Sequence, residues 1–229
     1  MICREHSGID KEKPLSEKSV IRWYDILVVG GLVSLAAVLI LLSPNEKTLG
    51  SGIKVVYVHV ASIWTGLVGF LILGVLGLLL VATQKKTIRA WVLAWSWMSL
   101  FWFALGVSTS VLAAKINWGG IFWAEPRFQM AWKCLIVVLL THTINLWLDH
   151  PRVQGLLAVI PSAYVSFSVW ATPLLLHPKQ PIRNADAPMI QWTFRLMFFL
   201  ALALAVWLAF WITRMVLKPS IPNPEEVPA

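Results

Sequence analysis

The chain has 229 residues, of which 58% are hydrophobic and only 13% charged. A soluble domain of ordinary composition carries roughly 25% charge, so a globule surrounded by water is excluded and long apolar segments must meet lipid or one another. The net charge of +8 does not point to nucleic acid. Its Lys and Arg residues sit in short segments between apolar runs instead of forming a basic patch, which is how membrane proteins carry their orienting charges.

The first 22 residues are polar and mixed in charge, and the apolar segment after them is long enough to span, so no cleavable signal is expected. A spanning helix needs about 20 apolar residues. Six segments meet that length, at 23–42, 55–81, 90–114, 130–148, 153–176 and 196–217. The expected fold is an all-α integral membrane protein, a bundle of six transmembrane helices. Residues 1–22 are then an N-terminal segment, 23–217 the membrane domain and 218–229 a tail, whose prolines prevent helix throughout.

With the N-terminus in the cytoplasm, eleven Lys and Arg fall inside and eight outside. This bias, strongest in the turn Lys85-Lys86-Thr87-Ile88-Arg89, puts both termini in the cytoplasm. The loops 43–54, 115–129 and 177–191 then share the outer face. His59 lies near that face at the start of the second helix, and His177 where the fifth helix is expected to end.

The segment Asn117-Trp118-Gly119-Gly120-Ile121-Phe122-Trp123-Ala124-Glu125-Pro126-Arg127-Phe128 is the most unusual in the chain. Its rings suit an interfacial aromatic belt. They also suit a shelf for a large, flat, apolar ligand with acidic edges, with Arg127 pairing a carboxylate. His59 and His177 supply the imidazole nitrogens that an iron porphyrin needs, although each histidine alone equally suits a structural role. Deep in the fourth helix, His142 lies beside Thr141, Thr143 and Asn145, and interhelical hydrogen bonding is its simpler reading. Trp91, Trp95 and Trp102 share one face of the third helix and are expected to pack against a neighbouring helix or lipid. Lys133 can snorkel outward. Cys3 and Cys134 form neither a CxxC pair nor a CxxCH haem-attachment signature, and Cys134 reads as a buried thiol. No GxSxG, HExxH or P-loop motif is present, so hydrolase and self-powered pump readings lack residue support, and the chain is not expected to be an enzyme.

Taken together these residues resemble the six-helix haem-handling proteins of cytochrome c maturation, the CcmC type within the wider CcmC/CcmF/CcsA superfamily. That family has a Trp-rich outer motif of roughly WGxxWxWDxR between two haem-ligating histidines. Trp118-Gly119, Glu125 and Arg127 fall at its Trp-Gly, Asp and Arg positions. Tyr57-Val58-His59-Val60-Ala61-Ser62-Ile63-Trp64 resembles the first-histidine segment, and His177, soon after Trp170, the second. The motif departs from the family at Phe122 and Ala124, where tryptophans are usual, at Trp123, offset by one, and at Glu125 in place of Asp.

The resemblance implies a haem-delivery subunit of cytochrome c biogenesis in the bacterial cytoplasmic (inner) membrane. It implies haem b held transiently, with His59 and His177 on the iron and Trp118, Gly119, Phe122, Trp123, Glu125 and Arg127 around the porphyrin. The implied partners are a haem chaperone of the CcmE type, ATPase and permease subunits of the CcmA/CcmB type in an ABC-type complex, and a small single-helix subunit of the CcmD type. A non-haem permease or scaffold subunit is the alternative. A b-type electron-transfer cytochrome fits less well, because it needs facing histidines within the bilayer and only His142 is deep.

Overall fold

The computed structural model describes residues 22–173, 182 and 187–218. Six helices follow one another: α1 (Trp23–Leu42), α2 (Ile53–Thr83), α3 (Lys86–Trp118), α4 (Pro126–Trp147), α5 (Pro151–Ala171) and α6 (Pro188–Leu217). All six are long and apolar enough to cross a membrane, and there is no strand among the described residues. The chain is an all-α, multi-pass membrane protein.

Local sequence explains most of the boundaries. Pro occupies the first turn of α4, α5 and α6, where its missing N–H costs nothing and its fixed φ already suits a helix. Gly119 ends α3 in the left-handed conformation at φ 73°, the usual role of glycine after a last turn. α5 stops at Ala171, with Thr172 as C-cap, short of the expected 176. Pro173 is the reason, because the residue before a proline is pushed out of the helical region. α6 starts two turns earlier than apolarity alone suggests, at Pro188 in place of 196.

α2 is the centre of the bundle, touching every other helix except α4. Its small residues set the spacing. A Cβ on Gly66 would lie 2.8 Å from the backbone nitrogen of Phe103 in α3, and one on Gly69 2.8 Å from Ser99 Oγ. Lower on the helix, a Cβ on Gly77 would sit 2.7 Å from the Gly155 carbonyl oxygen in α5. Lipid tails are as apolar as leucine, so helices associate in a membrane by close backbone approach and polar contacts; these glycines allow that approach. Trp95 and Trp102 of α3 are buried in the resulting core, and Trp91 packs against Phe210 of α6. The tryptophan stripe therefore faces neighbouring helices.

α1 stands apart. Asp25 is its one buried residue, and the helix is fastened to α6 through polar groups. Arg214 donates to Asp25 Oδ1 at 2.7 Å and to the Tyr24 hydroxyl at 3.4 Å, while Asp25 Oδ2 accepts from the Arg22 backbone N–H at 3.1 Å. Cys134 is buried, as the sequence suggests. His142 is buried too, its Nδ1 2.6 Å from Ser96 Oγ of α3, so it takes part in interhelical hydrogen bonding.

The glycine spacing yields a paired prediction. Gly66→Ala forces a methyl group against backbone and should lower stability by about 1–3 kcal/mol, the scale of core overpacking. Nothing lies within 4 Å of a Cβ on Gly30 in α1, so Gly30→Ala should be neutral or gain up to about 1 kcal/mol in helix propensity. Thermal or SDS unfolding in detergent micelles reads both.

Candidate functional site

One end of the bundle gathers the α1–α2 connection, the α3–α4 connection and the start of α6. There the helices part to leave a cavity of about 800 Å³, within the range of small-molecule and cofactor sites. Its walls are apolar, with Ile63, Leu67, Phe103, Val107 and Phe194 among them. Polar and charged groups are few: His59 from α2, Ser110 from α3, Glu125 and Arg127 from the start of α4, and Gln191 and Arg195 from α6.

His59 is set by an interhelical contact. Its Nδ1 lies 2.8 Å from the carbonyl oxygen of Gly106 in α3. A carbonyl can only accept, so Nδ1 carries the proton, and in the neutral imidazole the lone pair is on Nε2. This arrangement depends on Gly106, where a Cβ would lie 2.7 Å from the Ile63 side chain and 2.8 Å from its backbone nitrogen. Metal-binding histidines usually have their second nitrogen tied to a backbone carbonyl in this way.

The α3–α4 connection is short and well braced. Trp118 and Phe122 meet edge to face at 6.5 Å, and both line the cavity. Trp123 does not line it: 61% of the residue is exposed and its ring packs on Phe128 at 5.3 Å. Gly119 is the C-cap of α3, and its contribution is backbone conformation. Ala124 is exposed. Buried Glu125 is the N-cap of α4, its carboxylate accepting from the Arg127 backbone N–H at 3.4 Å. A carboxylate there suits the positive end of the helix dipole. Arg127 begins α4, and its Nε donates to the Thr172 carbonyl at the end of α5, at 3.1 Å. That bond aligns the guanidinium while its terminal nitrogens remain donors for a planar anion.

The connection between α1 and α2 lies at the same end of the bundle and is tied to α3. Glu46 Oε2 accepts from Thr48 Oγ1 at 2.5 Å, the Thr48 N–H at 2.7 Å and the Leu49 N–H at 2.8 Å. The Thr48 hydroxyl and these backbone N–H groups hold the carboxyl below its ordinary pKa. Asn117 Nδ2 donates to the Gly52 carbonyl at 3.3 Å and to that of Ala113 at 2.9 Å, joining the last turn of α3 to the N-cap of α2.

Of the residues singled out in the sequence, His59, Trp118, Phe122, Glu125 and Arg127 therefore meet around one cavity, while Gly119 and Trp123 brace it from outside. His177 lies outside the described residues. Sequence reasoning missed Arg195, counting it only as a loop charge. It sits two turns into α6, on the same face as Gln191, with its guanidinium 4.8 Å from the Trp192 ring centroid. The signal for it was Pro188, a first-turn proline that moves the helix start back far enough to make Gln191 and Arg195 an i, i+4 pair. No protein-family model matches this chain, and no curated protein matches its sequence.

The Glu46 carboxylate makes the connection sensitive to acid. Its pKa when folded lies below the unfolded value, so its stabilisation is fully present above the unfolded value of about 4.3. That stabilisation is lost as pH falls through the folded value. Amide exchange at Thr48 and Leu49 should accelerate, relative to intrinsic rates, as pH falls below about 4.3. Glu46→Gln should remove that pH dependence.

Proposed function

We propose that the chain is a membrane haem-delivery subunit of cytochrome c biogenesis, which presents haem at its outer face for transfer to a haem chaperone. The observation that carries the reading is the meeting of His59, Trp118, Phe122 and Arg127 around one apolar cavity. Three helices bring them there, and the sequence had singled them out for this ligand in advance. The residues suit the cargo. An iron porphyrin requires a large apolar volume, a basic nitrogen for the metal and cations for its carboxylates. Here His59 lines the cavity as the iron ligand of this reading, the aromatic walls cover a flat apolar face, and Arg127 and Arg195 stand beside the same space for the two propionates. On this reading His177 is the second iron ligand.

The chain's residues bind, orient and release; nothing in the sequence suggests that it hydrolyses a nucleotide. The reading therefore assigns energy input to a separate ATPase of the CcmA type, with a CcmB-type permease subunit, a CcmD-type single-helix subunit and a CcmE-type chaperone as companions. Phe122 lines the cavity and Trp123 does not, which is less ring area than the tryptophans of the family motif would offer and suits haem that must be handed on.

Absorbance of the purified, haem-loaded protein tests the proposal. His59→Ala should shift the Soret band or abolish retention, whereas His142→Ala should leave the spectrum unchanged. Arg127→Ala should weaken haem binding by about 10-fold to 150-fold, the equivalent of about 1.5–3 kcal/mol for a hydrogen bond to a charged group. Unchanged spectra and affinity in both the His59 and Arg127 variants would favour the scaffold reading.

The proposed orientation has the cavity outside and the Lys85–Lys86 turn in the cytoplasm. An impermeant thiol reagent applied to intact cells should label a cysteine engineered at Gly120 and spare one at Lys85. The reverse labelling would invert the topology.

A further inference from the structure

A second pocket lies at the other end of the bundle, where four helix ends meet. It has a volume of about 210 Å³. Lys86 and Arg89 come from the first turn of α3, Asn145 from the last turn of α4 and Gln154 from the first turn of α5, with Leu146 and Val216 as apolar walls. Helix ends of a spanning bundle lie at the depth of lipid headgroups.

The pocket makes two opposite demands. At one side are two cations. Arg89 is paired with Asp149, which holds the guanidinium in place, and its other N–H groups remain donors. At the other side are two buried acceptors. Asn145 and Gln154 are only 6% and 8% exposed, and neither Asn145 Oδ1 nor Gln154 Oε1 has a partner among the described residues. The orientation of Gln154 is settled by its amide nitrogen, which donates to the carbonyls of Leu148 at 2.6 Å and Asn145 at 3.2 Å. Its oxygen must therefore face away from them. Buried acceptors without donors are costly, so an occupant has to bring N–H or O–H groups to the carboxamides and an anion to Lys86 and Arg89.

We propose that this pocket seats the headgroup of an aminophospholipid, a phosphodiester joined to a primary ammonium. The phosphodiester meets Lys86 and Arg89, the ammonium donates to Asn145 and Gln154, and the acyl chains run along the apolar wall. Choline has the same charges but no N–H, and so cannot satisfy the carboxamides. Glycerol has hydroxyl donors, but a neutral hydroxyl makes a weaker hydrogen bond to a carboxamide oxygen than an ammonium does.

Lipid retention measured by native mass spectrometry, after exchange into mixed micelles of defined phospholipids, tests this on the wild-type protein. Phosphatidylethanolamine should be retained about tenfold or more over phosphatidylcholine, the effect of losing a hydrogen bond to a charged group. Retention should fall along the series of N-methylated phosphatidylethanolamines, which removes N–H groups at constant charge. Equal retention of ethanolamine and choline lipids, or of ethanolamine and glycerol lipids, would overturn the proposal. Soluble phosphoethanolamine should compete and inorganic phosphate should not; full displacement by phosphate would reduce the pocket to a free-anion site and also overturn it. Asn145→Leu should reduce discrimination between ethanolamine and choline several-fold while leaving phospholipid binding intact, and unchanged discrimination would contradict the assignment. His59→Ala should leave lipid retention unaltered, so this result and the haem result stand or fall separately.

Discussion

Within a bilayer, burying one leucine against another gains little over leaving it in lipid, so a membrane bundle must be held by contacts that lipid cannot imitate. In this protein the dominant contact of that kind is backbone against backbone along α2. Gly66 and Gly69 admit α3, and Gly74 and Gly77 admit α5, to distances at which any added Cβ would collide. α3 returns the relation through Gly106, whose missing side chain makes room for Ile63 of α2. The same close approach brings the Gly106 carbonyl within 2.8 Å of His59 Nδ1. The packing that builds the bundle thus also orients its most prominent polar side chain.

The two ends of the bundle are specialised from this common core. Toward the start of α2, the long helices α2, α3 and α6 diverge and leave the large apolar cavity, crossed by few polar groups. At the other end the helices converge on Arg89, Asn145 and Gln154 and enclose a small polar pocket. α1 takes little part in either. One partly buried ion pair, Asp25 with Arg214, fastens it to α6, and most of its surface is exposed. Removing one partner of such a pair leaves an uncompensated charge, so α1 is held by this polar clasp together with the packing of Ala36, Leu39 and Ile40 on α2 and α6.

Much of this was open to inference from sequence because apolarity and length are strong signals. All six spans follow from composition, and the loops 43–54 and 115–129, expected to lie together, do meet at one end of the bundle. His59, Trp118, Phe122 and Arg127 stood out by residue type, and the fold brings them to one cavity. What was hidden depends on three-dimensional direction. Trp118 and Trp123 look equivalent in sequence, yet the left-handed turn at Gly119 and the cap at Glu125 send one ring to the cavity and the other to Phe128. Glu125 looked like a ligand contact by its place in the motif, whereas its carboxylate also caps α4. Arg195 was masked because apolarity marks the lipid-crossing part of α6 and not its first two turns. α5 was drawn too long because leucines continue past Pro173, and proline geometry outweighs hydropathy there.

The central claim is that haem enters the cavity between α2, α3, α4 and α6 beside His59. Hydrogen–deuterium exchange of the detergent-solubilised protein, with and without haem, tests it most directly. The account predicts new protection at residues 56–64, 118–131 and 190–196, with the Ser96–His142 region unchanged. Protection centred on Ser96 and His142 instead, or no protection on adding haem, would contradict it.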